Sequence, residues 1–263
     1  MSDRETSIRR GIEVLLSLAT DEAVEQGGLG VTRISERLER EKSQVSRALK
    51  ALAEYGLVER NRDALTYRLG WRIYALAQRA GQPRFLEEAA PVLGRLVAAL
   101  NERSHLSVLQ GDQVLTLLSD SPGRAVEAVG WVGRTTPAYC TSAGQVLLLD
   151  HDQAALEALF VDTEFERLAP NTATSFQELT ERIAAGREQG YIIADEQFEQ
   201  GLVAVAAPVR DGLGRIVAAL NVSAPRFRFA DRIQEAAERV RAEAEGLSAT
   251  LGAEPEAVAG SRA

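Results

Sequence analysis

Between residues 41 and 60 the sequence EKSQVSRALKALAEYGLVER leaves the backbone little choice. Val45, Ala48, Leu49 and Leu52 recur at i, i+3, i+4 and i+7, and the pattern stops at Gly56. That spacing lays four apolar side chains along one stripe of a helix, which is stable only if the stripe is buried. Gly56 stands where a left-handed residue can end a helix at low steric cost. The opposite face carries Gln44, Arg47 and Lys50, which are long, polar and rich in hydrogen-bonding groups. Taken alone, such a face is either an ordinary solvated surface or one built to touch a partner.

The flanking residues bear on that choice. Residues 8–18 place Ile8, Ile12, Leu15 and Leu16 on one helical face, and a polar, Gly-containing loop follows. Thr32 is expected to cap a short helix carrying Ile34 and Leu38. After the turn EREK, Ser43 is expected to cap the helix of the opening stretch. Residues 57–70 read as two short strands around a polar turn at 61–64, with Leu57, Val58, Thr66, Tyr67 and Leu69 as the β-favouring residues. Helix, short helix, tight turn, second helix and hairpin is the outline of a winged helix-turn-helix. In that module the second helix enters the DNA major groove and the wing reaches toward the backbone. Gln44 and Arg47 are then expected at base edges, since Gln pairs bidentately with adenine and Arg with guanine. Thr32, Ser43 and Ser46 are short hydroxyls suited to phosphates, and Lys42, Lys50, Arg60 and Arg62 supply charge for the backbone. Arg33, Arg37 and Arg40 alternate with Glu36, Glu39 and Glu41 and are expected to pair with them.

The formal charge of −8 looks wrong for a partner of nucleic acid until it is divided along the chain. Residues 1–81 hold 14 basic against 12 acidic side chains, whereas the remainder holds 16 against 26. From residue 42 to 72 the count is 7 basic to 3 acidic, so the positive charge is local. The start of the chain lacks the apolar stretch of a secretory signal, and no apolar run approaches a membrane span. The single cysteine, Cys140, leaves no internal disulfide and fits a reducing cytoplasm.

Residues 70–82 read as a helical linker with Ile73, Leu76 and Ala77 inward and Trp71 as a packing residue. The helix at 84–102 is expected to kink or break near Pro91. Two strands then meet at Gly111 and Asp112, a hairpin pair, and a third strand is expected at 124–132. Helices are expected at 143–149, 152–160 and 175–190, strands at 191–193, 202–209 and 215–223, and a closing helix at 230–247. This is an α+β domain, expected with its helices on one side of the sheet. LVAVAAPV and IVAALNVS are nearly continuous apolar runs, which demands burial on both faces, against helices or a ligand. The DGLG at 211–214 precedes a strand and so reads as a hairpin turn, not a nucleotide loop. Residues 252–263 are small and polar and are expected to be disordered.

VTRISERLEREKSQVSRALKALAEYGLVER followed by YRLG, then PAYCTSAGQVLL and GYIIADEQFEQGLVAVAAPVRDGLGRIVAALNVSAP, resembles the IclR-type (isocitrate lyase regulator) transcriptional regulators. The likeness covers all but about the last dozen residues. It implies a winged helix-turn-helix at 1–69, a linker helix at 70–82 and a GAF-like effector-binding domain at 83–251. It also implies a homodimer or dimer of dimers on operator DNA, acting as repressor or activator, with no cofactor. In the family, effector contacts come from a loop opening a helix, from the strand after GY and from the last two strands. Carried over, these fall on Ser142, Ala143, Ala194, Leu202, Ala204, Asn221 and Ser223. Members that bind small carboxylates tend to have Asp and Cys where this chain has Ala194 and Ala204. Asp195 is one position later and should face the other way. The loss of a carboxyl and a thiol suits a bulkier, less polar ligand than glyoxylate or pyruvate. Thr141, Ser142, Asn221 and Ser223 remain polar, beside a helix start that would welcome an anion. PAYCTSAG and ALNVS are similar to the branch that regulates aromatic-acid and β-ketoadipate breakdown, so the expected effector is an aromatic or ring-cleavage carboxylate.

Enzymatic signals are lacking. Cys140 as a nucleophile would need a base, and nothing in the sequence orients His105 or His151 toward it. No GxSxG, metal-ligand spacing or phosphate loop occurs. The competing readings are a metabolite-binding enzyme, or a protein-interaction module, with a helix-turn-helix appendage.

Overall fold

The apolar stripe at 45–52 finds its core. In the computed structural model, which describes residues 3–61, 64–80, 83–123 and 130–252, Val45 and Leu49 are wholly buried on helix α4 (Lys42–Glu54). Around them pack Val14 and Leu18 of α1 (Asp3–Leu18), Ala23 of α2 (Asp21–Glu25), Leu29 of β1 (Leu29–Gly30) and Ile34 of α3 (Val31–Arg37). Val58 of β2 (Val58–Asn61) and Tyr67 of β3 (Thr66–Leu69) complete the cluster. The three strands form an antiparallel sheet in the order β1-β3-β2. The helix-turn-helix and wing are therefore as expected, with a short helix and a two-residue strand added in the loop after α1. Gly56 has φ +68, the Leu57 N–H donates to Leu52 O and the Gly56 N–H to Ala53 O, both at 3.0 Å. This pairing satisfies the last carbonyls of α4.

Three local expectations are corrected. On α1 the buried apolar side chains are Val14 and Leu18, whereas Ile8, Ile12 and Leu16 are 67%, 52% and 62% exposed. Two apolar stripes compete on that helix, and its own unit covers only one. Thr32 and Ser43 are not N-caps: Gly30 and Glu41 hold those positions in extended conformation, and the Glu41 side chain makes no capping hydrogen bond. Pairing of Gly30 with Thr66 fixes an extended residue just before α3, so the helix begins ahead of Thr32. On α5 (Trp71–Ala80), Trp71 is 74% and Leu76 53% exposed, and Trp71 packs edge-on against Tyr74 instead of into a core. Ile73 is half-buried, and the Ala77 side chain lies outside the described residues.

The chain divides into two compact units, Met1–Pro83 with Ala128–Gly130, and Arg84–Glu127 with Trp131–Ala263. In the second, α6 (Pro83–Leu100) runs through Pro91 unbroken. It leads into β4 (Arg103–Gln110) and β5 (Gln113–Asp120), joined at Gly111 with φ +61. With β6 (Thr135–Pro137), β7 (Ile192–Asp195), β8 (Leu202–Arg210) and β9 (Ile216–Pro225) they make a six-stranded antiparallel sheet, order β6-β5-β4-β9-β8-β7. The ladder of β4 and β5 slips once: Leu106 pairs with Leu118 and Ser107 with Thr116, leaving Leu117 unpaired.

Helices cover both faces of this sheet, not one. Val203, Val205, Ala207 and Val209 of β8 and Ala218, Leu220, Val222 and Ala224 of β9 pack with α6 and α11 (Ile233–Gly252). The alternate residues Ala206 and Ala219 pack with α7 (Ser142–Leu147), α8 (Gln153–Leu159) and α9 (Phe176–Gln189). A strand apolar at every position needs a cover on each side, which is why the one-sided arrangement fails. Of the strand expected at 124–132, residues 124–129 lie outside the described residues and 130–132 are not strand. Arg62, residues 81–82 of the linker and all but the first residue of the expected disordered tail also lie outside them. Among the described residues, no helix is long and apolar enough to cross a membrane.

Candidate nucleic-acid interface and effector site

At about 100° per residue, Ser43, Ser46, Arg47 and Lys50 share one arc of α4 opposite Val45 and Leu49, with Lys42 and Gln44 at its edges. Lys42, Ser43, Ser46, Arg47 and Lys50 are exposed and Gln44 is half-buried. The Arg47 Nε–H donates to Ser43 O at 3.3 Å, and the Ser43 hydroxyl donates to Glu41 Oε2 at 3.4 Å. Arg60 is exposed on β2, with its guanidinium carbon 5.7 Å from the centroid of its cross-strand neighbour Tyr67. Thr32 is exposed on α3.

Four other cations of this unit are neutralised. Arg33 and Arg37 both bond Glu22, at 2.7 and 3.1 Å, Arg40 bonds Glu13 at 2.9 Å and Arg68 bonds Glu59 at 2.9 Å. The Arg33 hydrogen bond holds the Glu22 carboxyl below the usual carboxylate range. The three arginines of residues 33–40 are thus ion-paired as expected, but to α2 and α1 instead of to the neighbouring Glu36, Glu39 and Glu41. Among the described residues, Lys42, Arg47, Lys50 and Arg60 have no carboxylate partner.

In the second unit, strand register gathers the effector candidates. Ala194, Ala204, Ser223 and Arg103 form one row across β7, β8, β9 and β4. Ile192, Ala206, Asn221, His105 and Ser119 form the next. Alternation puts Leu202 on the same face, and Asp195 points away from it, bonding Arg226 at 2.8 Å. Onto this face comes α7, with Ser142 and Ala143 buried in its first turn. The Thr141 hydroxyl is already engaged as the N-cap: it accepts from the Gly144 N–H at 3.1 Å and donates to Pro137 O at 3.2 Å. Thr141 therefore shapes the helix start. Gly144 lets α7 approach the Ala138 backbone, where a Cβ would collide.

Two buried polar side chains beside these rows were not among the sequence candidates. Gln145, wholly buried, donates to Tyr139 O at 2.9 Å and to Gln197 Oε1 at 2.7 Å, tying α7 to the segment after β7. His105 is 5% exposed, with Nε2 3.4 Å from Ser223 Oγ. Burial first, and the charge of Arg103 second, push its pKa down to about 4, so the ring is neutral at neutral pH. The signal available in the sequence was Arg103, His105 and Ser107 alternating with Leu106 and Val108, a polar face on a strand. Cys140 is buried, and desolvation pushes its thiol up to about 12, the opposite of an activated nucleophile. No cluster of three metal-ligating side chains occurs among the described residues.

Comparison with known proteins agrees with both halves. Residues 7–62 match the family model of the IclR helix-turn-helix domain, and residues 81–249 that of the bacterial transcriptional regulator IclR C-terminal. The HTH-type transcriptional regulator KdgR of Escherichia coli strain K12 is 30% identical over 230 residues, covering 87% of this chain and 88% of its own. The Pca regulon regulatory protein of Pseudomonas putida is 31% identical over 221 residues, 83% of this chain and 74% of its own. Among solved structures, an IclR homologue from Microbacterium hydrocarbonoxydans complexed with 4-hydroxybenzoate superposes with a TM-score of 0.77 at 26% identity, covering 93% of this chain and 98% of that one. With models matching each unit and relatives aligned along most of its length, the chain belongs to the IclR family of bacterial transcriptional regulators.

Proposed function

We propose that this protein is an operator-binding regulator whose hold on double-stranded DNA is set by a small aromatic or ring-cleavage acid in its second unit. The observation that carries the DNA half is the sorting of its cations. Arg33, Arg37, Arg40 and Arg68 are neutralised by carboxylates, whereas Lys42, Arg47, Lys50 and Arg60 stand unpaired on α4 and the hairpin. Unpaired cations on one helix face suit phosphate contact and counterion release. In this reading Gln44 and Arg47 read base edges, and Thr32, Ser43 and Ser46 contact phosphates. Lys42, Lys50, Arg60 and Arg62 supply backbone charge, Arg62 on the sequence alone. One such helix reaches too few bases for operator-level selectivity, so the chain works as a homodimer or dimer of dimers.

Effector binding rests on the sheet face under α7. Ala194, Ala204 and Leu202 offer an apolar floor, Asn221 and Ser223 a polar edge, and Ser142 and Ala143 close it from the helix. The structural relative complexed with 4-hydroxybenzoate supports an aromatic-acid class. The ligand acts by binding one arrangement of the DNA-binding heads better than another.

The test begins with operator fragments selected from a random pool and titrated at several salt concentrations. Arg47→Ala should relax preference at one base position, costing about 1–3 kcal/mol at the preferred site. Lys50→Ala should weaken all sequences alike and reduce the salt slope by about one. Identical profiles for the two variants would remove the assigned roles. A thermal-shift panel of aromatic acids and glyoxylate tests the effector class, since a ligand at ~100 times its Kd adds about 2.7 kcal/mol of stability.

A further inference from the structure

The face that carries Asn221 and Ser223 also carries a side chain to which the reading above gives no task. His105 sits between Asn221 on β9 and Ser119 on β5, almost without exposure. One ring nitrogen, Nε2, has Ser223 Oγ at 3.4 Å, but the other, Nδ1, is buried with no hydrogen-bond partner. The ring packs edge-on against Trp131, with centroids 5.7 Å apart. A buried polar nitrogen left unpaired is a rare and destabilising arrangement. It makes sense where a partner arrives from outside.

We propose that His105 is a specificity-determining residue of the effector site, with Nδ1 hydrogen-bonded to a hydroxyl group of the bound organic acid. This rests on the effector reading above and narrows it to hydroxylated acids. The chemistry favours a hydroxyl at this point over a carboxylate. Burial and the nearby Arg103 keep the imidazole neutral, with one N–H and one lone pair between its two nitrogens. A hydroxyl can donate or accept and so satisfies Nδ1 whichever way the Ser223 contact is made, whereas a carboxylate can only accept. The carboxylate has a better neighbour in Arg103, which shares a row with Ser223 and has no ion pair among the described residues.

The chain has two tryptophans, Trp71 and Trp131. A full-length Trp71→Phe protein therefore leaves Trp131, against His105, as the sole tryptophan reporter. The probes are benzoate and its 2-, 3- and 4-hydroxy derivatives, titrated by fluorescence and checked by calorimetry. At least one hydroxylated acid should bind roughly tenfold tighter than benzoate, the factor expected of one added hydrogen bond. His105→Phe should erase that preference while leaving benzoate binding in place. His105→Asn, whose amide reaches the place of Nδ1, should restore part of it. His105→Gln, whose amide reaches the place of Nε2 and keeps the Ser223 contact, should not. If His105→Phe fails to fold, the Asn and Gln pair carries the same comparison. Equal binding of benzoate and all three hydroxy acids, an unchanged preference without His105, or rescue by Gln in place of Asn overturns the assignment and leaves the effector reading standing. Silence of the unsubstituted site toward all four acids, by fluorescence and by heat, overturns the aromatic-acid class and the His105 assignment together.

Discussion

Lowering the pH from 7 to 5 should weaken the second unit by about 2 kcal/mol through His105 alone. The unperturbed imidazole titrates near 6.5, and in the folded protein burial, aided by Arg103, moves it to about 4. As pH falls through 6.5 the unfolded chain takes up a proton that the folded chain refuses. Stability is therefore fully present above 6.5 and is lost between 6.5 and 4, to a limit of about 3 kcal/mol. The assay is urea denaturation at pH 7 and pH 5, followed by Trp131 fluorescence in the Trp71→Phe background, with and without His105→Gln. Carboxylates contribute to the acid response of both proteins alike, so the difference between their two pH responses isolates the imidazole. The protein retaining His105 should lose about 2 kcal/mol more than the Gln variant. Identical losses would refute the claim that burial holds the ring neutral.

Two further outcomes follow from backbone geometry. Gly144→Ala drives a Cβ into the Ala138 backbone beneath α7, so it should destabilise the second unit by about 1–3 kcal/mol, read by the same urea titration. Gly56→Ala forces a left-handed alanine at the end of α4 and should cost the DNA-binding unit about 1–2 kcal/mol. Its melting, followed by circular dichroism, should shift while the Trp131 transition stays put.

What the sequence disclosed depended on how far apart the interacting residues are. The α4 stripe and its stop at Gly56 are local events, and helix period and steric freedom settle them within a few turns. The α1 face misled because Ile8, Ile12 and Leu16 form a stripe as regular as the one that is buried, and only the packed core distinguishes them. Arg33, Arg37 and Arg40 were legible as paired but not their partners Glu22 and Glu13, which are 11 to 27 residues away and brought in by helix packing. The two-residue β1 exists only because β3 lies beside it. In the second unit the unbroken apolar runs of β8 and β9 called for two covers, yet local pattern cannot say which helices supply them. His105 was visible as a strand residue. Its place beside Asn221 depends on the register of β4 with β9, elements separated by more than a hundred residues.

The slip in the β4–β5 ladder gives the wall of the proposed effector face an unusual dependence on counting. Ser119 pairs with His105 and Thr116 with Ser107, so side chains three positions apart on β5 turn toward the same side. A regular strand would require an even separation. Leu117, the unpaired residue, is a phase shift: even positions face α7 before it and odd positions after it, which sends Val114 into the cluster under that helix and Leu118 into the opposite one. Substituting Leu117 would leave that arithmetic intact. Deleting it would make β5 alternate without interruption, and one end of the strand would have to present its other face. Along this wall, chain length by a single residue writes the polarity of the surface under α7, and relatives that differ there by one residue would present inverted surfaces on nearly the same backbone.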